Sequence, residues 1–188
     1  NVTTQSGGMT CSTTETLPYA EGLESGFGAW TNLSGDDLDW TRRTGSTPSS
    51  STGPSSASEG SYYMYVEASS PNYPSKTTRI ESPCFDLSGE TAATFSFKYH
   101  MYGSNMGTLT LEATTDDNNW SSVWSLSGNQ GNSWQSASVN MDSYAGGTVK
   151  LRFVGTTGSS YRGDMAVDDI SFSAGGTTNV TLTLTFDN

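Results

Sequence analysis

Thr94-Phe95-Ser96-Phe97-Lys98-Tyr99 alternates at every step: Phe95, Phe97 and Tyr99 fall on one side of an extended chain, Ser96 and Lys98 on the other. That pattern predicts a β-strand with one buried and one wet face. The same period of two recurs in Thr108-Leu109-Thr110-Leu111-Glu112-Ala113, through Leu109 and Leu111, and in residues 149–154, through Val149, Leu151 and Phe153. Tyr62-Tyr63-Met64-Tyr65-Val66 and residues 165–172 add segments rich in aromatic and β-branched side chains. Turn chemistry separates them at Ser34-Gly35-Asp36-Asp37, Asp116-Asp117-Asn118-Asn119, residues 127–132 and Ala145-Gly146-Gly147. Several half-wet strands between turns predict an all-β fold, two antiparallel sheets packed as a sandwich. Trp30, Trp40, Phe95, Phe97, Phe153 and Phe172 are the expected core.

Composition agrees. Among 188 residues there are 31 serines, 27 threonines and 21 glycines, which leaves too few helix formers for a helical bundle. Eight basic residues stand against 19 acidic ones, a formal charge of −11, and they never gather beyond Arg42-Arg43. Such a surface repels phosphate, so nucleic-acid binding and insertion into an anionic membrane are not expected. No apolar run is long enough to span a bilayer.

Cys11 and Cys84 lack the spacing of a zinc cage or a redox pair. In a Ser/Thr/Gly/Asn-rich acidic chain they are read as an extracellular disulfide, the alternative being two separate buried thiols. The tract Thr44 to Ser58 holds ten Ser/Thr residues with Gly45, Pro48, Gly53 and Pro54, and has no strand pattern. A loop that long inside a compact domain is expected to be functional or braced by a metal. Residues 1–174 read as one module. The break at Ser173-Ala174-Gly175-Gly176, followed by alternation in residues 180–188, makes 175–188 the expected linker and first strand of a following module, or else an edge strand of the same one.

Five stretches in order carry a resemblance: Leu23-Glu24-Ser25-Gly26-Phe27-Gly28-Ala29-Trp30, Asp36-Asp37-Leu38-Asp39-Trp40, Ser82-Pro83-Cys84-Phe85-Asp86-Leu87-Ser88-Gly89, residues 95–103, and Gly163-Asp164-Met165-Ala166-Val167-Asp168-Asp169-Ile170. Together, over about Cys11 to Ala174, they resemble the MAM domain, named from meprin, A5 antigen and receptor phosphatase mu. The resemblance implies a jelly-roll-like sandwich of two antiparallel sheets that is non-catalytic, secreted and joined to other domains. With two cysteines only, the chain looks more like the MAM-type modules of secreted multidomain bacterial proteins than the vertebrate ones.

The resemblance also implies a structural Ca²⁺ or Na⁺ near the Asp-x-Asp-Trp element, so Asp37 and Asp39 are expected ligands. Glu24 and Asp168 join them, as an N-terminal Glu and a C-terminal Asp pair over the sheet edge in many jelly rolls. Convergent carboxylates are what Ca²⁺, with its 6–8 oxygen ligands, requires. The alternative is that these acids form a solvated turn and accept backbone amides. His100, the one histidine, sits in a strand and is expected to be structural, so no catalytic triad is read here. Aromatic rings beside polar turns suit sugar rings. Tyr62, Tyr73, Tyr102, Trp120 and Trp124 are the expected contacts of a polysaccharide or glycan, neutral glycans being favoured by the charge. Protein adhesion, domain docking and a spacer role are the alternatives.

Overall fold

The computed structural model describes residues 8–175. Twelve strands run in order: β1 (Thr14–Thr16), β2 (Tyr19–Glu21), β3 (Thr31–Asn32), β4 (Thr41–Thr44), β5 (Tyr62–Val66), β6 (Thr77–Asp86), β7 (Ala93–Met101), β8 (Thr108–Thr114), β9 (Ser121–Ser127), β10 (Gln135–Asn140), β11 (Thr148–Thr156) and β12 (Met165–Ala174). One sheet has the order β1-β6-β11-β8-β9, with β3 also on β6; the other has β10-β7-β12-β5-β4, with β2 also on β12. Apart from the parallel β1–β6 pair, the strand pairs are antiparallel. The fold is a two-sheet sandwich, as the alternation predicts, of the jelly-roll kind that the resemblance implies. The expected linker and strand after Gly175 lie outside the described residues.

The alternating faces meet where expected. Trp30, Trp40, Phe95, Phe97, Phe153 and Phe172 are all buried. Phe153 of β11 lies 4.9 Å from Phe97 of β7 across the sandwich, and Phe85 of β6 lies 5.0 Å from Phe172 of β12. These edge-to-face contacts lock the two sheets together, each ring removing roughly 150–250 Å² from water.

Irregularities on β12 and β6 break the simple pattern. On β12 the register against β7 shifts between Asp168 and Ser171, and Asp169 has a φ of 48°. This bulge moves Ile170 to the core side, instead of the side of Ala166 and Asp168 that strict alternation gives it. On β6 the partners of Lys150 and Arg152 are Cys84 and Glu81, so Ser82-Pro83 inserts an extra residue, a site where proline is tolerated within a sheet.

The disulfide forms between Cys11 and Cys84, 73 positions apart, with Cα atoms 5.6 Å from each other. It ties the segment before β1 to β6. Lys150 Nζ reinforces this strap, donating to the Thr10 carbonyl at 2.9 Å and to Asp117 at 2.7 Å.

Candidate functional site

The long Ser/Thr tract folds over the outer face of the β7–β12–β5 sheet rather than into solvent. Beneath it, Tyr63, Tyr65 and Ala166 are buried in a cluster separate from the main core, with Ala57 and Trp134 packed against them. Trp134 meets Tyr63 at 5.8 Å and His100 at 5.5 Å, both edge to face. Its indole N–H donates to the Ser56 carbonyl at 2.9 Å, and the Tyr63 hydroxyl donates to the Gly45 carbonyl at 2.8 Å. Burial raises both tyrosines to about 12. They remain neutral donors at physiological pH.

Between the loop and the ends of β7 and β10 lies a cavity of about 460 Å³, lined by residues 46–55 with Tyr102 and Asn132. That volume falls within the roughly 300–1,000 Å³ typical of small-ligand sites. Its lining carries no charged side chain. It presents hydroxyls, one amide and one phenol ring, groups that exchange hydrogen bonds with neutral hydroxylated ligands. Two buried polar atoms near it lack partners among the described residues: Nδ1 of His100 and Oδ2 of Asp164. Burial pushes His100 down to about 4, so its ring is uncharged at neutral pH.

Of the five expected sugar contacts, the structure places only Tyr102 in this cavity. Tyr62 lies under Arg42, whose guanidinium sits 3.3 Å from the ring centroid. Trp120 lies on the opposite sheet under Arg152, 4.0 Å away, and Arg152 is itself held by Glu112 at 2.7 Å. Trp124 points inward and packs at 5.0 Å from Phe97 and 5.2 Å from Tyr99. Tyr73 is half-buried between β5 and β6 and does not line the cavity. Asn132 lines the cavity and Trp134 props the loop from beneath, and neither is among the five. Their only sequence signal is a polar turn, residues 127–132, running directly into an aromatic.

The four expected cation ligands do not form one set. Asp37 accepts the Thr77 amide at 2.8 Å and Lys76 Nζ at 3.3 Å, which hold its carboxyl below the usual range. Its neighbour Asp36 accepts the Arg79 amide at 2.6 Å, while Asp39 is exposed. This acidic turn is therefore a clamp on the start of β6. Glu24 accepts the Ser61 and Tyr62 amides at 2.9 and 2.8 Å, and those bonds lower its carboxyl. Asp168, fully buried, accepts the Ser58, Glu59 and Asp169 amides at 2.7, 3.2 and 2.8 Å. Glu24 and Asp168 thus address one loop, residues 58–62, and Asp37 and Asp39 address another element. Among the described residues no three His, Cys, Asp or Glu side chains are grouped to hold an ion. Glu24 and Asp168 hold neighbouring amides of that loop, with Glu59 near Asp168, and no grouped ligand set for a cation stands among the described residues.

A two-sheet jelly roll with a loop-walled, hydroxyl-lined cavity on one sheet defines the class of protein. The model of the family described as "MAM domain, meprin/A5/mu" matches residues 22–176, and the chain belongs to that family. MAM domain-containing glycosylphosphatidylinositol anchor protein 1 of Gallus gallus is 37% identical over 149 residues, covering 74% of this chain and 15% of that protein. MAM domain-containing protein 2 of Homo sapiens is 34% identical over 181 residues, covering 93% and 26%. The chain spans between 15% and 26% of the length of these relatives. Among solved structures, the K1 cleaved adhesin domain of Lys-gingipain from Porphyromonas gingivalis W83 aligns with a TM-score of 0.60 at 16% identity, covering 85% of this chain and 99% of that one. TmCBM61 in complex with β-1,4-galactotriose aligns with a TM-score of 0.55 at 18% identity, covering 81% and 94%. These likenesses are of fold. The animal relatives do not single out the bacterial variants that the low cysteine count suggests. Among the described residues no helix is long and apolar enough to cross a membrane.

Proposed function

We propose that this chain is a non-catalytic, extracellular binding module of a larger protein and that its ligand is a neutral glycan held in the loop-walled cavity. The observation that carries the reading is the lining of that cavity: residues 46–55, Tyr102 and Asn132, without one charged side chain in a chain of net charge −11. Sugars need hydroxyl and amide partners and an aromatic surface, and anionic polysaccharides would meet a protein of net charge −11. Tyr102 supplies the ring and Asn132 both a donor and an acceptor. The disulfide and the glycosylphosphatidylinositol-anchored relatives support placement outside the cell.

The test is native affinity electrophoresis against neutral and anionic polysaccharides. Retardation is expected with a neutral polymer, lost in Tyr102→Ala and in Asn132→Ala and retained in Trp120→Ala, whose ring is already covered by Arg152. Retardation abolished by Trp120→Ala but not by Tyr102→Ala would move the site to the other sheet. No retardation together with concentration-dependent self-association would favour protein adhesion, and neither result would favour a spacer.

Calcium is proposed at the loop 58–62 alone, shared by Glu24 and Asp168 with the Glu59 carboxylate swung in. A ligand present at 100 times its dissociation constant stabilises the folded state by about 2.7 kcal/mol. The melting temperature is accordingly expected to rise in Ca²⁺ over chelator, with the rise absent in Glu24→Gln. Superimposable melts in Ca²⁺ and chelator would remove the ion.

A further inference from the structure

The cavity exists because residues 46–55 are held off the sheet in one shape, and the hydrogen bonds that hold them converge on Thr52. The residue is 5% exposed. The hydroxyl donates to the Tyr102 carbonyl at 2.8 Å and accepts the backbone amide of Asp164 at 2.9 Å. One atom thus joins the loop to the segments that follow β7 and precede β12. The next residue repeats the attachment, the Gly53 amide donating to the same Tyr102 carbonyl at 3.2 Å. Within the loop, the Thr47 hydroxyl donates to the Thr52 carbonyl at 3.1 Å, so the turn closes on Thr52 as well.

The surroundings admit little else. A Cβ on Gly103 would come within 2.3 Å of the Arg162 carbonyl oxygen and 2.9 Å of Thr52 Oγ1, and Gly103 has a φ of 147°. A Cβ on Gly53 would collide with the Thr47 side chain. Two glycines therefore let the backbones close around the threonine. The other tether, the Ser49 hydroxyl to the Ser69 hydroxyl at 2.8 Å, joins two loops rather than loop to strand. Several of the remaining bonds to the sheet, from Tyr63, Trp134 and Arg43, fix the loop at Gly45, Ser46 and Ser56, outside the stretch 47–55 that walls most of the cavity.

We propose that Thr52 is the positioning residue of the binding site: its hydroxyl, engaged by the Tyr102 carbonyl and the Asp164 amide, pins the loop wall against Tyr102, so the cavity is preformed and the Tyr63–Tyr65 cluster stays roofed when ligand enters. This rests on the cavity being the binding site, and the measurements separate the two ideas. Thr52→Val keeps the shape and removes both hydrogen bonds; Thr52→Ser keeps the bonds and removes a methyl. Amide hydrogen exchange on the free protein is read first. In Thr52→Val the protection of the Gly53 and Asp164 amides is expected to fall about tenfold or more, while amides of β7 and β11 keep theirs. Thr52→Ser restores it, and Ser49→Ala leaves it unchanged.

Retardation by the neutral polymer is read second, with loss in Thr52→Val and recovery in Thr52→Ser. Wild-type protection at Gly53 and Asp164 in Thr52→Val would overturn the pin whatever the wild type binds. Lost protection with undiminished retardation would overturn its role in binding. If Thr52→Val loses protection throughout β7 and β11, Thr52 supports the whole fold and the local role is refuted. A wild type that binds no polymer refutes the glycan reading and leaves the exchange result to decide the pin.

Discussion

Cys11→Ser lowers the stability of the folded protein by about 4 kcal/mol and its melting temperature by on the order of 10 °C. The bridge closes a loop across 73 positions, and in the chain-entropy view such a constraint acts by restricting the unfolded chain. The folded side of the comparison changes little. Cys11 is exposed, and its strand neighbours keep their bonds: Thr14, Glu15 and Thr16 stay in register with Cys84, Phe85 and Asp86, and Lys150 still reaches the Thr10 carbonyl and Asp117. Replacing Cys84 instead would confound the result, because its side chain is fully buried beside Phe85. Urea unfolding of wild type and Cys11→Ser measures the difference directly. A loss under about 1 kcal/mol would mean that residues 8–13 already hold to β6 in the unfolded ensemble or are stabilised chiefly by Lys150, against the entropic account.

What the sequence makes legible here is whatever alternates. β7, β8 and β11 were readable because large apolar residues repeat every second position and polar ones fill between, and β5 and β12 because aromatic and β-branched residues crowd them. β6 was not, although it is ten residues long and central: Ser82-Pro83 breaks its period, and the break is a bulge that only the pairing with β11 explains. β9 and β10 are edge strands of mostly serine and other small residues, so only one side of each meets the core and the hydrophobic signal is thin. The candidate site divides the same way. That residues 44–58 form a long loop without a strand was legible from length and composition, but where they fold depends on Tyr102, Asn132 and Trp134, far away in the chain. The structure disperses the expected aromatics and acids for one physical reason: a side chain's availability is set by its partner. Trp120 is covered by Arg152, Trp124 by Phe97, and Asp37 is engaged by Thr77 and Lys76, partners from other strands that no local spacing announces.

Asp164→Asn is expected to raise the melting temperature at pH 7.5 and to change it little at pH 4. Asp164 is fully buried; Oδ1 accepts the Ala68 amide at 2.9 Å and Oδ2 has no hydrogen-bond partner among the described residues. Burial pushes its carboxyl up to about 6, against the opposing pull of the Ala68 amide. The folded state therefore binds the proton more tightly than the unfolded chain, whose carboxyl titrates near 3.9. Its contribution to stability is fully present below that value and is lost as the pH rises through about 6, a difference of about 3 kcal/mol between the two ends. Asparagine keeps an oxygen for Ala68 and has no charge to bury, so it escapes that loss. Asp168, likewise raised to about 6 by burial, loses stability over the same window in both proteins, which leaves the variant with a shallower slope instead of none. The acids held low by amides act elsewhere on the scale: Glu24 and Asp37 lie below the usual range and Asp116 at about 2, so their contributions disappear only under stronger acid. Melts at pH 4, 6 and 7.5 decide the matter. Curves for wild type and Asp164→Asn that diverge between pH 4 and 6 and stay apart at 7.5 locate the buried charge at Asp164, whereas curves parallel throughout would place the titration on Asp168 or on the acidic surface as a whole.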